Sequence, residues 1–231
     1  FDMGDAARAH DHYRHAVRAA GAAGDPLLGG YMLGSMGWLA IQVGDGDAAL
    51  ELIRAAKAKV GPDSPATSCA WLAAHEALAQ ATLRDTHKAL ALLDSAADAV
   101  GRAASDTSVW PWLYPFGPGK LAAFSGSCSL RLGRADEARG ALQEALRLRP
   151  AGATARAAVV IDLVSALLMR RKPEVDIDEV GQLVAEAAGI AASKGSARLW
   201  RQVRETRTRL RPWDSSRAVR RLDELLRSCV A

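Results

Sequence analysis

The sequence predicts an all-α fold, a right-handed α-solenoid of about five helix pairs closed by a C-terminal capping pair. Three observations predict it. Hydrophobic residues make up 49% of the chain but aromatic ones only 5%, and alanine leads the set; such chains favour helices packed at short distance. One spacing, Ala-x3-large-x2-Ala or a close variant, begins at Ala9, Ala49, Ala89, Ala138 and Val180, at intervals of 40, 40, 49 and 42 residues. It puts three small or apolar residues on one helical stripe. Helix-turn-helix units recurring at tens of residues stack into a solenoid. No β-branched alternating run of useful length occurs, and the nearest, Ala158–Val164, fits a buried helix equally well.

The stretch Leu121–Pro150 shows the unit most plainly. It reads as two antiparallel helices joined at Gly133-Arg134, with Gly126 in the first, Ala138, Leu142 and Ala145 in the second, and Pro150 closing the unit. From the start of the chain, Phe1–Gly4 reads as the tail of a helix, Gly4-Asp5 as a turn, and Ala6–Ala20 as a helix with Ala9, Tyr13 and Ala16 on its stripe. Asp25-Pro26 starts the next, since Asp caps and Pro suits the first turn. Pro26–Val43 then pairs with Asp47–Val60 across Gly44-Asp45. A third pair runs from Ser64-Pro65 through Leu83 and, after Arg84-Asp85, over Thr86–Ala99. Gly101–Gly119, with three prolines and four aromatics, is irregular. Beyond Pro150, Thr154–Arg171 pairs with Ile177–Ser193 across a longer turn. Ser196–Leu210 and Arg217–Val230 close the chain. The repeat units therefore span about 1–22, 26–60, 65–100, 119–150 and 154–193, and 196–231 forms the basic cap.

The net charge of +4 is unevenly spread. Between Arg198 and Arg227 stand ten arginines against Glu205, Asp214, Asp223 and Glu224, which leaves 20 basic and 22 acidic residues elsewhere. The basic pI thus belongs to the C-terminal end, read as a solvated helix face that keeps the cap soluble and does not read DNA. Three cysteines, Cys69, Cys128 and Cys229, are odd in number and far apart, which argues for reduced thiols and a cytoplasmic home. There is no signal peptide and no apolar run long enough to span a membrane. The chain begins at Phe1 inside a repeat, as a fragment of something longer would.

Catalytic and metal signals are weak. His12 and His15 share a helix face without an acidic or Cys ligand set, so no metal site is expected. His75-Glu76 begins a zinc-protease motif, but Ala79 stands where the second His is required. Cys128 reads as a buried small hydrophobe. No phosphate loop and no nucleophile–base pair stands out, so neither an enzyme nor a cofactor is expected.

These features resemble the tetratricopeptide repeat family. Met36-Gly37 and Ser125-Gly126 match its Leu-Gly step, Gly44-Asp45 and Gly133-Arg134 its turn, and the Ala-x3-large-x2-Ala stripe its second helix. The period here is longer, and Ala40 and Ser129 replace the family's Tyr. The ending Ser196–Leu225 and the segment Leu130–Arg134 also resemble the C-terminal sensing regions of actinobacterial Xre-type helix-turn-helix transcription regulators. In such repeats the first helix of each pair lines a concave face. The resemblance therefore implies a groove formed by Tyr31, Trp38, Gln42, Trp71, Lys120, Ser127 and Arg131, with Trp112 and Tyr114 preceding the third such helix. Each tryptophan suits a plain core equally well. The implied function is sensing of a peptide, small-molecule or protein effector. DNA would be reached only through an upstream helix-turn-helix domain absent from this chain, and homodimerisation is compatible with this reading. The alternative is a stand-alone protein-protein interaction scaffold without a small ligand.

Overall fold

The computed structural model describes residues 5–103, 116–148, 154–169 and 174–229. Eleven α-helices occur there and no strand: α1 (Ala6–Ala22), α2 (Pro26–Gln42), α3 (Gly46–Val60), α4 (Ala66–Thr82), α5 (Thr86–Ala103), α6 (Pro118–Arg131), α7 (Ala135–Arg147), α8 (Thr154–Leu167), α9 (Ile177–Lys194), α10 (Ala197–Arg209) and α11 (Arg217–Ser228). None is long and apolar enough to cross a membrane. The helix tail expected at Phe1–Gly4 and the close at Pro150 lie outside the described residues, as does most of the irregular segment.

Local chemistry fixes the helix starts. Asp5, Asp25, Asp45 and Asp176 each accept a hydrogen bond from a backbone N–H in the first turn. Ser196 and Ser216 do the same for α10 and α11, satisfying donors that a helix start leaves orphaned. Pro26 and Pro118 sit at the first helical positions, where their fixed φ suits the helix and their missing N–H costs nothing. That is why α6 begins inside the stretch expected to be irregular. Conversely, α5 continues through Gly101 to Ala103, and α8 stops at Leu167, four residues before the expected end. The α6–α7 turn has Gly133 at φ +81°, whereas the α4–α5 turn has Arg84 at φ +64°, a conformation that disfavours a side chain.

Consecutive helices pack on one another. The recurring stripe is their seam: Ala49, Ile53 and Ala56, then Ala138, Leu142 and Ala145, are all fully buried, and Val180, Val184 and Ala187 nearly so. In α1 the stripe is half-formed, with Ala9 buried and Tyr13 and Ala16 partly exposed. Glycines on the facing helices allow close approach. A Cβ built on Gly126 would lie 2.7 Å from Leu142 Cδ2 and 3.3 Å from the Ala138 carbonyl oxygen. At Gly37 the same atom would lie 2.8 Å from Ile53 Cγ1 and 3.3 Å from the Ala49 carbonyl oxygen. The two pairs repeat one contact. The buried apolar residues fall into two clusters that meet at α6, where Cys128 belongs to the N-terminal one and Ala123 to the C-terminal one.

The basic end is held internally. Arg207 donates to both carboxylate oxygens of Asp223, at 2.6 and 2.8 Å, and lies 2.9 Å from Asp214. It thereby joins α10, the turn and α11. The hydrogen bonds from Arg207 hold the Asp223 carboxyl below the ordinary carboxylate range. Leu199, Val203, Leu210 and Leu222 are buried, but Leu225 is 36% exposed, so it lies at the rim of the cap and not inside it.

Two outcomes test this packing. Gly126→Leu is expected to destabilise the protein by about 1–3 kcal/mol through overpacking. Gly140→Ala, where a Cβ meets nothing within 4 Å, is expected to gain about 0.5–1 kcal/mol from helix propensity; thermal unfolding of both variants checks the pair. Arg207→Met is expected to cost about 1–2 kcal/mol at neutral pH, after discounting for solvent screening. Because the folded-state pKa of Asp223 is depressed, the wild-type advantage is present above the ordinary carboxylate pKa and is lost as Asp223 is protonated in acid. Urea unfolding at neutral pH and at about pH 3 measures both arms.

Candidate functional site

The even-numbered helices α2, α4, α6, α8 and α10 line a common groove. Helical spacing selects its residues. Tyr31, Ser35, Trp38 and Gln42 recur at four, three and four positions, as do Lys120, Phe124, Ser127 and Arg131, so each set forms one stripe. Trp71, His75 and Leu78 contribute from α4, Ala155, Ala158 and Asp162 from α8, and Arg198 and Gln202 from α10.

The groove has two compartments that share Trp38, Phe124 and Ala155 as their common wall. The polar one, about 500 Å³, is lined by Gln42, Ser127, Arg131, Asp162, Arg198 and Gln202 among others. The Ser127 hydroxyl donates to Asp162 Oδ2. Burial pushes the Asp162 carboxyl above its ordinary pKa, against the opposing pull of the Ser127 hydroxyl and the Arg131 charge. Arg131 donates to the Ser127 carbonyl at a long 3.5 Å, which uses little of its five-donor fork. Among the described residues, the cations Lys120, Arg131 and Arg198 and the carboxylate of Asp162 line the two compartments. Such a surface favours an anionic ligand.

The aromatic compartment, about 320 Å³, is lined by Tyr13, Tyr31, Trp38, Trp71, His75, Phe116 and Phe124, with Ser35, Lys120 and Ala155. Ring centroids step from Tyr31 to Trp71 (5.5 Å), Trp71 to His75 (4.3 Å), His75 to Phe124 (4.7 Å) and Phe124 to Phe116 (5.7 Å). All four pairs are tilted, as aromatic pairs prefer. Gly34 makes room for this: a Cβ there would lie 2.6 Å from Trp71 Cη2. His75 is 3% exposed, and burial lowers its pKa from 6.5 to about 4. Its Nδ1 lies 2.8 Å from the Trp71 carbonyl oxygen.

Seven of the sequence-predicted residues therefore lie on one groove: Tyr31, Trp38, Gln42, Trp71, Lys120, Ser127 and Arg131. Trp71 is largely core, 7% exposed, whereas Trp38 is half-buried. Trp110, Trp112 and Tyr114 lie outside the described residues, and so does most of the irregular stretch Gly101–Gly119; Phe116 from that stretch lines the aromatic compartment. Sequence reasoning missed Tyr13, His75, Phe124, Asp162, Arg198 and Gln202. For His75 a signal existed, since Trp71, His75 and Leu78 repeat the spacing of Tyr31, Ser35 and Trp38. Among the described residues no group of three or more His, Cys, Asp or Glu is placed to hold a metal. Cys128 is fully buried and its thiol is pushed up to about 12, so it is not a thiolate nucleophile at neutral pH. Compared with protein-family models, curated proteins and solved structures, the chain matches none.

The neutral His75 makes stability depend on pH. The unfolded chain binds the proton near pH 6.5 and the folded chain near 4, so stability is complete above pH 6.5 and falls as pH drops toward 4. The wild type is expected to lose up to about 3 kcal/mol more than His75→Gln over that window, measured as the difference in urea midpoints at neutral pH and at about pH 4.

Proposed function

We propose that this chain is the ligand- or partner-sensing domain of a DNA-binding transcription regulator, built as a tetratricopeptide-like right-handed solenoid of about five helix pairs with a capping pair. In this reading its groove takes a peptide, small organic anion or protein effector. DNA is contacted only through a helix-turn-helix domain upstream of Phe1, and the protein works in the cytoplasm as a binding module, not an enzyme. One observation carries the binding part of the proposal: Trp38, Phe124, Arg131 and Arg198, from three different helices, line the same groove. Large aromatic area at low entropic cost, beside guanidinium groups able to hold an anion, is the make-up of a ligand site.

The combined volume of the compartments lies within the range of small-ligand sites. The Arg131 guanidinium, which spends only one long bond on the Ser127 carbonyl, supports an anionic effector. The regulator part rests on the resemblance of the C-terminal sequence, and sequencing upstream of Phe1 tests it: a helix-turn-helix domain encoded there would support it. If none is encoded there, the regulator assignment falls and the groove remains to be explained as a scaffold surface.

Native mass spectrometry of the protein isolated from its host identifies what stays bound. Trp38→Ala and Arg131→Ala are each expected to weaken that occupant by about 1–3 kcal/mol with helix content unchanged by circular dichroism. Unaltered affinity in both variants would falsify the groove as the binding site.

A further inference from the structure

Among the described residues, a buried hydrogen-bond acceptor of the aromatic compartment has no partner. A carbonyl oxygen only accepts, so the contact of His75 Nδ1 with the Trp71 carbonyl places the ring proton on Nδ1. Nε2 then keeps a lone pair. Among the described residues Nε2 has no hydrogen-bond partner, although His75 is almost wholly buried and lines the compartment. Buried polar groups are hydrogen-bonded as a rule, so this position suits a donor brought by a bound molecule. Burial keeps the imidazole neutral, and so keeps Nε2 an acceptor at physiological pH.

What surrounds Nε2 selects the kind of molecule that brings the donor. Trp71 and Phe124 flank the imidazole at 4.3 and 4.7 Å between centroids, and Tyr31 and Phe116 extend the apolar lining. Flat rings fill such a space by offset or edge-to-face stacking. On α6, Arg131 stands seven residues beyond Phe124, about 10 Å along the axis. Asp162 is the one carboxylate lining either compartment among the described residues, and it is engaged by Ser127.

We propose that the groove binds an aromatic acid: a planar ring system in the aromatic compartment whose ring N–H or O–H donates to His75 Nε2, carrying its carboxylate on a short flexible tether that reaches Arg131. The tether follows from the separation of Phe124 and Arg131, too large for an acid attached directly to the ring. This narrows the effector class of the groove reading above and rests on it.

Indole-3-butyrate is the probe, compared by isothermal titration calorimetry with 1-methylindole-3-butyrate, which lacks the donor, and with indole-3-butyramide, which lacks the charge. The full 231-residue chain is used. The expected result is saturable binding of indole-3-butyrate, weakened about tenfold by either change, as the loss of one buried hydrogen bond or ion contact gives. In His75→Phe the preference for N–H over N-methyl disappears, and in Arg131→Met the preference for acid over amide disappears. Each ratio is taken within one variant, so a general loss of affinity does not mimic the result. If His75→Phe fails to fold, ¹⁵N NMR of the wild-type imidazole replaces it: Nε2 shifts with indole-3-butyrate and not with its N-methyl analogue. Equal affinity of the wild type for the N–H and N-methyl acids overturns the proposal, as does no binding of either. Displacement of 1-anilinonaphthalene-8-sulfonate separates this failure from failure of the groove itself. An acidic hexapeptide that displaces the dye from wild type but not from Trp38→Ala, where the aromatic acids do not, sinks the aromatic acid and keeps the groove. Dye binding that is indifferent to Trp38→Ala and to every competitor sinks both.

Discussion

The close approach of α2 to α3 and of α6 to α7 is the constraint from which the other features follow. At Gly37 and Gly126 the partner's carbonyl oxygen lies 3.3 Å from where a Cβ would be, so the facing surfaces admit only hydrogen, methyl groups and one interlocking Ile or Leu. A seam built this way leaves no place for large rings. On α2 the division is visible residue by residue. Gly30 and Gly37 face α3, Gly34 faces the Trp71 indole of α4, and Tyr31, Ser35, Trp38 and Gln42 turn to the groove. One helix thus serves three neighbours, and its aromatic residues collect on the face that the seams do not use.

This explains which parts of the molecule the sequence revealed. The seam is a local pattern: Ala138, Leu142 and Ala145 announce themselves by spacing alone. The groove residues of α2 and α6 follow once the first helix of each pair is assigned to an inner face. Asp162, Arg198 and Gln202 were not legible, because their role depends on how α8 and α10 approach α6, a long-range relation that no short window contains. His75 was hidden for a different reason: it was weighed only as a fragment of a metal motif, and its true setting is a row of rings from three helices. Element ends moved where capping chemistry overrode composition, as at Pro118.

The C-terminal arginines likewise read differently in three dimensions. Their sequence density suggests one solvated face. Arg207, however, is engaged with Asp223 and Asp214 inside the cap, Arg209 donates to Ser165 on α8, and Arg198 lines the groove. A block of like charge is therefore divided among a structural clamp, a contact between helices and the lining of the groove. This division reduces the local excess that a nucleic-acid surface would need, since such binding depends on many unpaired cations presented together.

The position of α6 gives the groove a mechanical consequence. The two apolar clusters meet on this helix, and its groove-facing stripe, Lys120, Phe124, Ser127 and Arg131, lines both compartments. An occupant stacked on Phe124 beside Trp71 and held at Arg131 beside Asp162 touches helices of both clusters at once. The Lys57–Glu76 pair between α3 and α4, and Arg156, which joins Glu186 of α9 to the Leu146 carbonyl of α7, stiffen each half separately. An occupant that touches both halves biases the angle between them only by fitting one arrangement better than another. The polar compartment alone is lined from both sides of α6, by Trp38, Gln42 and Leu78 and by Asp162 and Arg198, so an occupant there already touches both halves.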